Sequence, residues 1–333
     1  AARGRAQCLY ALPPLLLPDL LLPPYDFPSF NSQRLDEELQ IYSRYLRTYG
    51  TPDVLIVGSS RSLQGIDPLA LQEGLEARGY SGVKVFNFGI NGATAQVIDV
   101  LLNEVLADDH LPKLIIWGDG LRAFNDGRPD LTYREIIGSE GYRRLSQGDR
   151  PIPSRLYEDS PILTASTEQS IVTSTLTESV QQTISADLDM YGFQTITEQF
   201  DPAAYYSQYP RVAGNFDADY VPFALGQEQT ASTIAVAEFA RSHDVPLVIV
   251  NLPLTQDYMD SIRQSYERQF VQHMQQLAQQ RSFTFLNLNQ SPDLTQNRYF
   301  ADPSHINQHG ARAVALHLAA NPNVPWQRLR IVD

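Results

Sequence analysis

The chain has 333 residues, 43% of them hydrophobic and 19% charged, which is enough to bury a full core in one large domain or two ordinary ones. Its formal net charge of −13 repels phosphate backbones, so nucleic acid is not an expected partner, and the acidity otherwise reads as solubility. The one cysteine, Cys8, rules out an internal disulfide framework and a cysteine metal site, and it leaves the compartment open.

Residues 9–24 read LYALPPLLLPDLLLPP, an apolar stretch interrupted by five prolines and Asp19. A spanning helix needs about 20 consecutive, predominantly apolar residues, and interior proline breaks helices. No full span is expected. The stretch reads either as the remnant of an N-terminal anchor or signal region, which would allow membrane association, or as an apolar arm along the domain. A lead-in helix completes residues 1–50.

From there strands and helices alternate. Asp53–Gly58 (DVLIVG) is a short apolar run closed by glycine and predicts a buried parallel strand. Pro68–Arg78 has helical spacing, Val83–Phe88 predicts a second strand, Ala93–Ala107 a helix, and Lys113–Trp117 a third strand. The rhythm stops between about Arg128 and Gln227, where Ser, Thr, Gln, Tyr and Pro dominate and only short pieces such as Ser166–Leu188 suggest helix. It resumes with a helix over Glu228–His243, a strand Pro246–Asn251, a long helix near Asp257–Arg281, a strand Phe283–Leu288 and a last helix from about Asn307 to Ala320. The expected fold class is α/β: a three-layer α/β/α sandwich around a flavodoxin-like, five-stranded, mainly parallel sheet. Residues 51–127 and 228–333 form its core, and 128–227 form an insertion or cap after the third strand. A hundred-residue structureless loop inside a domain would be anomalous.

In an open parallel sheet ligands bind at the carboxyl ends of the strands. The chemically distinctive residues fall there: Gly58-Ser59-Ser60-Arg61-Ser62, Asn87-Phe88-Gly89-Ile90-Asn91-Gly92, Gly118-Asp119-Gly120-Leu121-Arg122, and Asp302-Pro303-Ser304-His305. Acyl chemistry by a nucleophile needs a hydroxyl, a base for its proton and a carboxylate that orients the base. Ser60 stands at a strand-to-helix turn. His305, of six histidines, has an Asp three residues earlier in such a turn, and Asp302 is that Asp. The plainer alternatives are that Ser60 caps its helix and that Asp302 is a helix N-terminal acid. His305 and His309 have the spacing of two zinc ligands, but no third ligand is evident, so no metal and no cofactor is expected. His110, His243 and His273 read as surface residues. Arg61 reads either as a partner for substrate charge or as an ordinary surface ion pair. Tyr205, Tyr206 and Tyr209 could stack on sugar rings or simply pack in the cap. A Gly-x-Ser-x-Gly elbow is missing, because Ser62 stands where its last glycine would be. No glycine-rich nucleotide loop follows a strand.

Together these blocks resemble the SGNH (GDSL-like) hydrolase family. Gly58-Ser59-Ser60 is similar to its first block with Ser59 in place of Asp, Gly89–Thr94 to its second, and Asp302-Pro303-Ser304-His305 to its last. The third block departs: if Asp119 matches the motif Asp, Gly118 stands where the family has an oxyanion-donating Asn. The resemblance implies a Ser60–His305–Asp302 triad and an oxyanion donor at Gly92. Asn91, Arg61, Asp119, Arg122 and Asn125 are the further candidates for oxyanion or substrate contacts. It implies ester hydrolysis or O-acyl transfer on a small acyl ester or an acylated polysaccharide, or else a catalytically weak scaffold that serves as a binding or assembly protein. The chain also resembles cyanobacterial SGNH-like proteins of unknown function (DUF1574 type). The related polysaccharide O-acetyltransferases imply a periplasmic or cell-envelope location.

Overall fold

The computed structural model describes residues 25–106, 110–152, 188–209 and 220–330. The apolar run at 9–24 and almost all of the suggested helix Ser166–Leu188 lie outside the described residues.

Five short runs form one sheet: β1 (Val54–Gly58), β2 (Val85–Gly89), β3 (Leu114–Asp119), β4 (Leu247–Asn251) and β5 (Thr284–Asn287), in the order β2-β1-β3-β4-β5 with every pairing parallel. The runs carry apolar residues at nearly every position because both faces of the sheet are covered. Successive side chains point to opposite faces. Leu55, Val57, Phe86, Phe88, Ile115 and Trp117 therefore enter one core, and Val54, Ile56, Val85, Leu114 and Ile116 enter the other. Helices α1 (Gln33–Tyr49), α4 (Ala95–Val100), α8 (Glu228–Ser242) and α9 (Ser261–Arg281) cover the first face; α3 (Pro68–Glu76) and α10 (Gln308–Ala320) cover the second. Full burial of one such large apolar side chain stabilises by about 1.5–3 kcal/mol.

The sequence marks the helix ends by their capping chemistry. Ser32 accepts from the Leu35 N–H before α1, and Gly50 follows it at φ +74°. Asp260 opens α9 and Asn307 opens α10, each accepting two backbone N–H groups. The helix predicted over Ala93–Ala107 is α-helical only to Val100; Leu101–Val105 continues as a wider π-turn. The long helix predicted from Asp257 is split, with a separate 3₁₀ turn at Gln256–Tyr258 before Asp260 caps α9.

One short helix, α2 (Ser60–Gly65), crosses the carboxyl edge of the sheet. It can lie so close because the register sets Gly58 beside both Gly89 and Gly118, three glycines abreast on neighbouring strands. A Cβ at Gly89 would stand 2.6 Å from the backbone of Leu63, and one at Gly118 would stand 2.7 Å from Ile66. Asn87, buried on β2, ties the same helix down by donating to the carbonyls of Ser62 and Ile66. Gly89→Ala is therefore expected to cost about 2–4 kcal/mol of stability, since the obstacle is backbone and cannot rotate away. A urea midpoint within error of wild type would show that the contact relaxes freely.

The described parts of 128–227 lie against the core. Ile136, Leu145 and Ile152 join one hydrophobic cluster, and Phe193 and Phe200 join the other. Leu131–Ile137 (α5) and Glu140–Ser146 (α6) form helices, as does Pro202–Gln208 (α7). Tyr205 and Tyr206 pack edge-on against Phe200 at ring-centroid distances of 5.8 and 6.2 Å, the packing alternative of the two the sequence left open.

The Tyr191 carbonyl accepts from the Asn87 N–H at the free edge of β2. Beside it, Asp189 accepts from the N–H groups of Tyr191 and Phe193. Burial, aided by the charge of Asp67, pushes the Asp189 carboxyl up to about 6, against the pull of those two bonds. A carboxyl raised on folding stabilises the fold while it is protonated. That contribution is complete below the ordinary carboxylate range and is lost as pH rises through about 6. Asp189→Asn keeps the accepting oxygen, so at pH 7 the variant is expected to exceed wild type by on the order of 1–3 kcal/mol. The gap should close toward pH 4. A gap of equal size at both pH values would contradict this assignment.

Candidate active site

Ser59, the last residue before α2, is its N-cap: its Oγ accepts from the Arg61 N–H at 3.3 Å. Ser60 is thus the first helical residue and not the cap, which overturns the plainer reading of it. At that position its own N–H has no partner inside the helix. The turn is fixed from β3 by Asp119, which accepts from the Ser59 N–H at 2.9 Å, the Ser59 hydroxyl at 3.0 Å and the Gly120 N–H at 3.0 Å. Asp119 is 2% exposed, and burial pushes its carboxyl up despite Arg61 and these bonds.

The Ser60 hydroxyl lies 3.0 Å from His305 Nε2. His305 Nδ1 lies 2.7 Å from Asp302 Oδ2. The other oxygen of Asp302 accepts from the N–H groups of Ser304 and His305 at 2.8 and 2.9 Å. The Asp-x-x-His spacing thus makes one tight turn in which a single carboxylate holds both the backbone and the imidazole. Burial alone would raise the Asp302 carboxyl, but the His305 bond and charge and the two N–H bonds hold it below the usual carboxylate range. An ionised Asp302 fixes the proton on Nδ1 and leaves Nε2 as an acceptor toward Ser60. Asn307, and not Asp302, caps α10, so Asp302 is not a helix-terminal acid.

Ser60 and His305 line a cavity of about 200 Å³ together with Ser59, Gly92, Ala93, Asp119, Arg122, Ala123 and Arg128. Gly92 has φ +74°, and a Cβ there would stand 2.7 Å from Thr132 Oγ1, so the turn needs glycine on both counts. The sequence therefore placed Ser60, His305, Asp302, Gly92, Asp119 and Arg122 in one locality. Three other candidates do not face it. Arg61 is 2% exposed, with its guanidinium under Gly120 and donating to the carbonyls of Leu252 and Pro253; it is neither a substrate partner nor a surface ion pair. Asn125 accepts from the Gly127 and Ala224 N–H groups and donates to the Pro222 carbonyl, which makes it a loop clamp. Asn91 is exposed and does not line the cavity.

His110 is 2% exposed, contrary to the expected surface position, and its carbonyl accepts from the Tyr42 hydroxyl at 3.4 Å. His273 is half-buried with Nε2 3.0 Å from Thr230 Oγ1, and burial holds it below the usual imidazole range. Among the described residues no group of His, Cys, Asp or Glu is placed to hold a metal ion. Nor is any described helix long and apolar enough to cross a membrane. Arg128 was missed, because a lone arginine in a loop six residues beyond Arg122 carries no periodic or motif signal.

The sheet order, the Ser60 turn on β1, the glycine turn after β2 and the Asp302–His305 turn before the last helix now stand together. The fold is a three-layer α/β/α sandwich around a five-stranded parallel sheet. The family described as protein of unknown function (DUF1574) matches residues 166–318, a span that includes Asp302 and His305. Among solved structures this chain is similar to the acetyl xylan esterase AlAXEase, at 12% identity over 80% of this chain and 98% of that one, with a TM-score of 0.40. It is similar to Axe2, an acetylxylan esterase from Geobacillus stearothermophilus, at 12% identity over 83% and 95%, with a TM-score of 0.40. It is also similar to TesA, at 16% identity over 83% and 97%, with a TM-score of 0.39. No curated protein matches the sequence.

Proposed function

We propose that the chain is a serine-dependent ester hydrolase or O-acyltransferase, acting on a small acyl ester or an acylated polysaccharide. The observation that carries this is the unbroken run of contacts from Ser60 through His305 to Asp302, 3.0 and then 2.7 Å, with Ser60 and His305 in the wall of a cavity. Ser60 Oγ attacks the acyl carbon while His305 Nε2 takes its proton. The same proton passes to the departing alcohol, leaving an acyl-Ser60 ester. Water or a sugar hydroxyl then attacks, giving its proton to His305, and Ser60 departs with that proton restored. Asp302 orients the imidazole. The N–H groups of Ser60 and Gly92 are the donors we assign to the oxyanion.

A second reading, a weakly catalytic scaffold that binds or assembles other molecules at the cell envelope, is favoured by one observation. Gly118 offers no side chain where an oxyanion-donating Asn would stand, and Ile66 and Ser62 crowd that position. Loss of one such donor costs about 10²–10³ in rate. Against it, a binding scaffold has no need of an imidazole held between a carboxylate and a serine.

The test is an acid-quenched reaction with p-nitrophenyl acetate. Saturable nitrophenol release is expected, with the acetyl group recovered on the peptide that contains Ser60. Release that persists in Ser60→Ala, or acetyl found only elsewhere, would remove the assignment.

A further inference from the structure

We infer that the ester taken by this site carries an anionic group, a carboxylate or a phosphate, held by Arg122 and Arg128. The inference rests on the assignment of Ser60 above and adds the substrate class. The chain as a whole has 38 acidic and 25 basic residues, so its general field repels anions. The small cavity that holds Ser60 and His305 nevertheless has two guanidinium groups in its wall. Among the described residues its single acidic lining group, Asp119, is already taken up by Ser59 and Gly120 and is buried.

Both arginines are held in place by their loops. Arg122 sits on the 3₁₀ turn Leu121–Phe124 that follows β3 and is 9% exposed. Arg128 lies in the loop that precedes α5, and that loop is fixed on two sides. Asn125 clamps it to Pro222 and Ala224, and Asp126 accepts from the N–H groups of Gln227 and Gln229 at 2.8 Å. Both arginines also interact within the protein. A guanidinium carries five N–H donors in a planar fork, a geometry that matches a carboxylate or phosphate. At about 200 Å³ the cavity has room for the acyl end of a substrate and one neighbouring charged group, and not for a whole drug-sized ligand.

The experiment compares steady-state turnover of 4-acetoxybenzoate, 4-acetoxyphenyl phosphate and the neutral methyl ester of 4-acetoxybenzoate, using the full chain, Arg122→Gln and Arg128→Gln. Wild type is expected to prefer at least one anionic ester about tenfold or more in kcat/KM, and to lose that preference as salt is raised. Each variant should lose most of the preference through KM. Whichever of the carboxylate or phosphate ester is preferred identifies the group. An unchanged preference in both variants would overturn the inference. So would an equal fall in kcat on charged and neutral esters, which would make the arginines oxyanion donors. Failure of wild type to turn over any of the three would strike the Ser60 assignment instead. In that event, calorimetric binding of 4-hydroxybenzoate and of 4-hydroxyphenyl phosphate decides the anion site. Binding of either that disappears in Arg128→Gln supports the site, and no binding of either to wild type overturns it. Arg128 is only half-buried, so this variant stands in if Arg122→Gln does not fold.

Discussion

Replacing Asp302 with Asn is expected to lower kcat by about 10⁴ while leaving the fold of the turn intact. The Asn oxygen can still accept from the Ser304 and His305 N–H groups, which now bond to one Asp302 oxygen. The oxygen that faces His305 Nδ1 at 2.7 Å is replaced by a donating amide. The imidazole must then put its proton on Nε2, where it can no longer accept from Ser60. Stability should fall as well. Asp302 is held below the usual carboxylate range, so its contribution is present above its unfolded value and is lost as pH falls through the lowered folded one. The measurement is kcat on p-nitrophenyl acetate together with Tm at pH 7 and pH 3. A variant within tenfold of wild type would mean that Asp302 does not orient the base.

Ser60→Ala and His305→Ala are expected to lower kcat further, by about 10⁶ each, and the double variant to be no worse than either single one. The reason is that the two residues act in one step: Ser60 without a base is a neutral alcohol, and His305 without Ser60 has no nucleophile to activate. Independent, multiplying effects would show that the residues serve separate steps. Undiminished kcat in either variant would remove the mechanism.

Much of this was readable in the chain because it depended on local chemistry. DVLIVG and PLVIVN read as buried strands because a two-sided sheet demands apolar residues at every position, and both runs do pair in the sheet. The Asp302–His305 turn was readable because a three-residue offset closes on itself. What could not be read was set by register and tertiary packing. No local pattern announces that Gly58, Gly89 and Gly118 fall side by side, although that coincidence lets α2 sit low enough to present Ser60. Ser59 and Ser60 are chemically alike, and only Asp119, sixty residues away, makes the first the cap and frees the second. Arg61 was expected near substrate or solvent because arginines seldom lie inside. It lies inside because the carbonyls of Leu252 and Pro253 at the end of β4 receive its guanidinium. Asn125 failed as an oxyanion donor for the same kind of reason: its amide closes a loop to Pro222 and Ala224 that no sequence spacing reveals.

The central claim is that Ser60 is activated by His305. Labelling with a fluorophosphonate, read by intact mass and peptide mapping, tests it most directly, because the probe reports the nucleophile without requiring the natural substrate. The expected result is one adduct per chain on Ser60, absent in Ser60→Ala and His305→Ala. A folded wild-type protein that takes no label, or takes it at another serine, would contradict the claim.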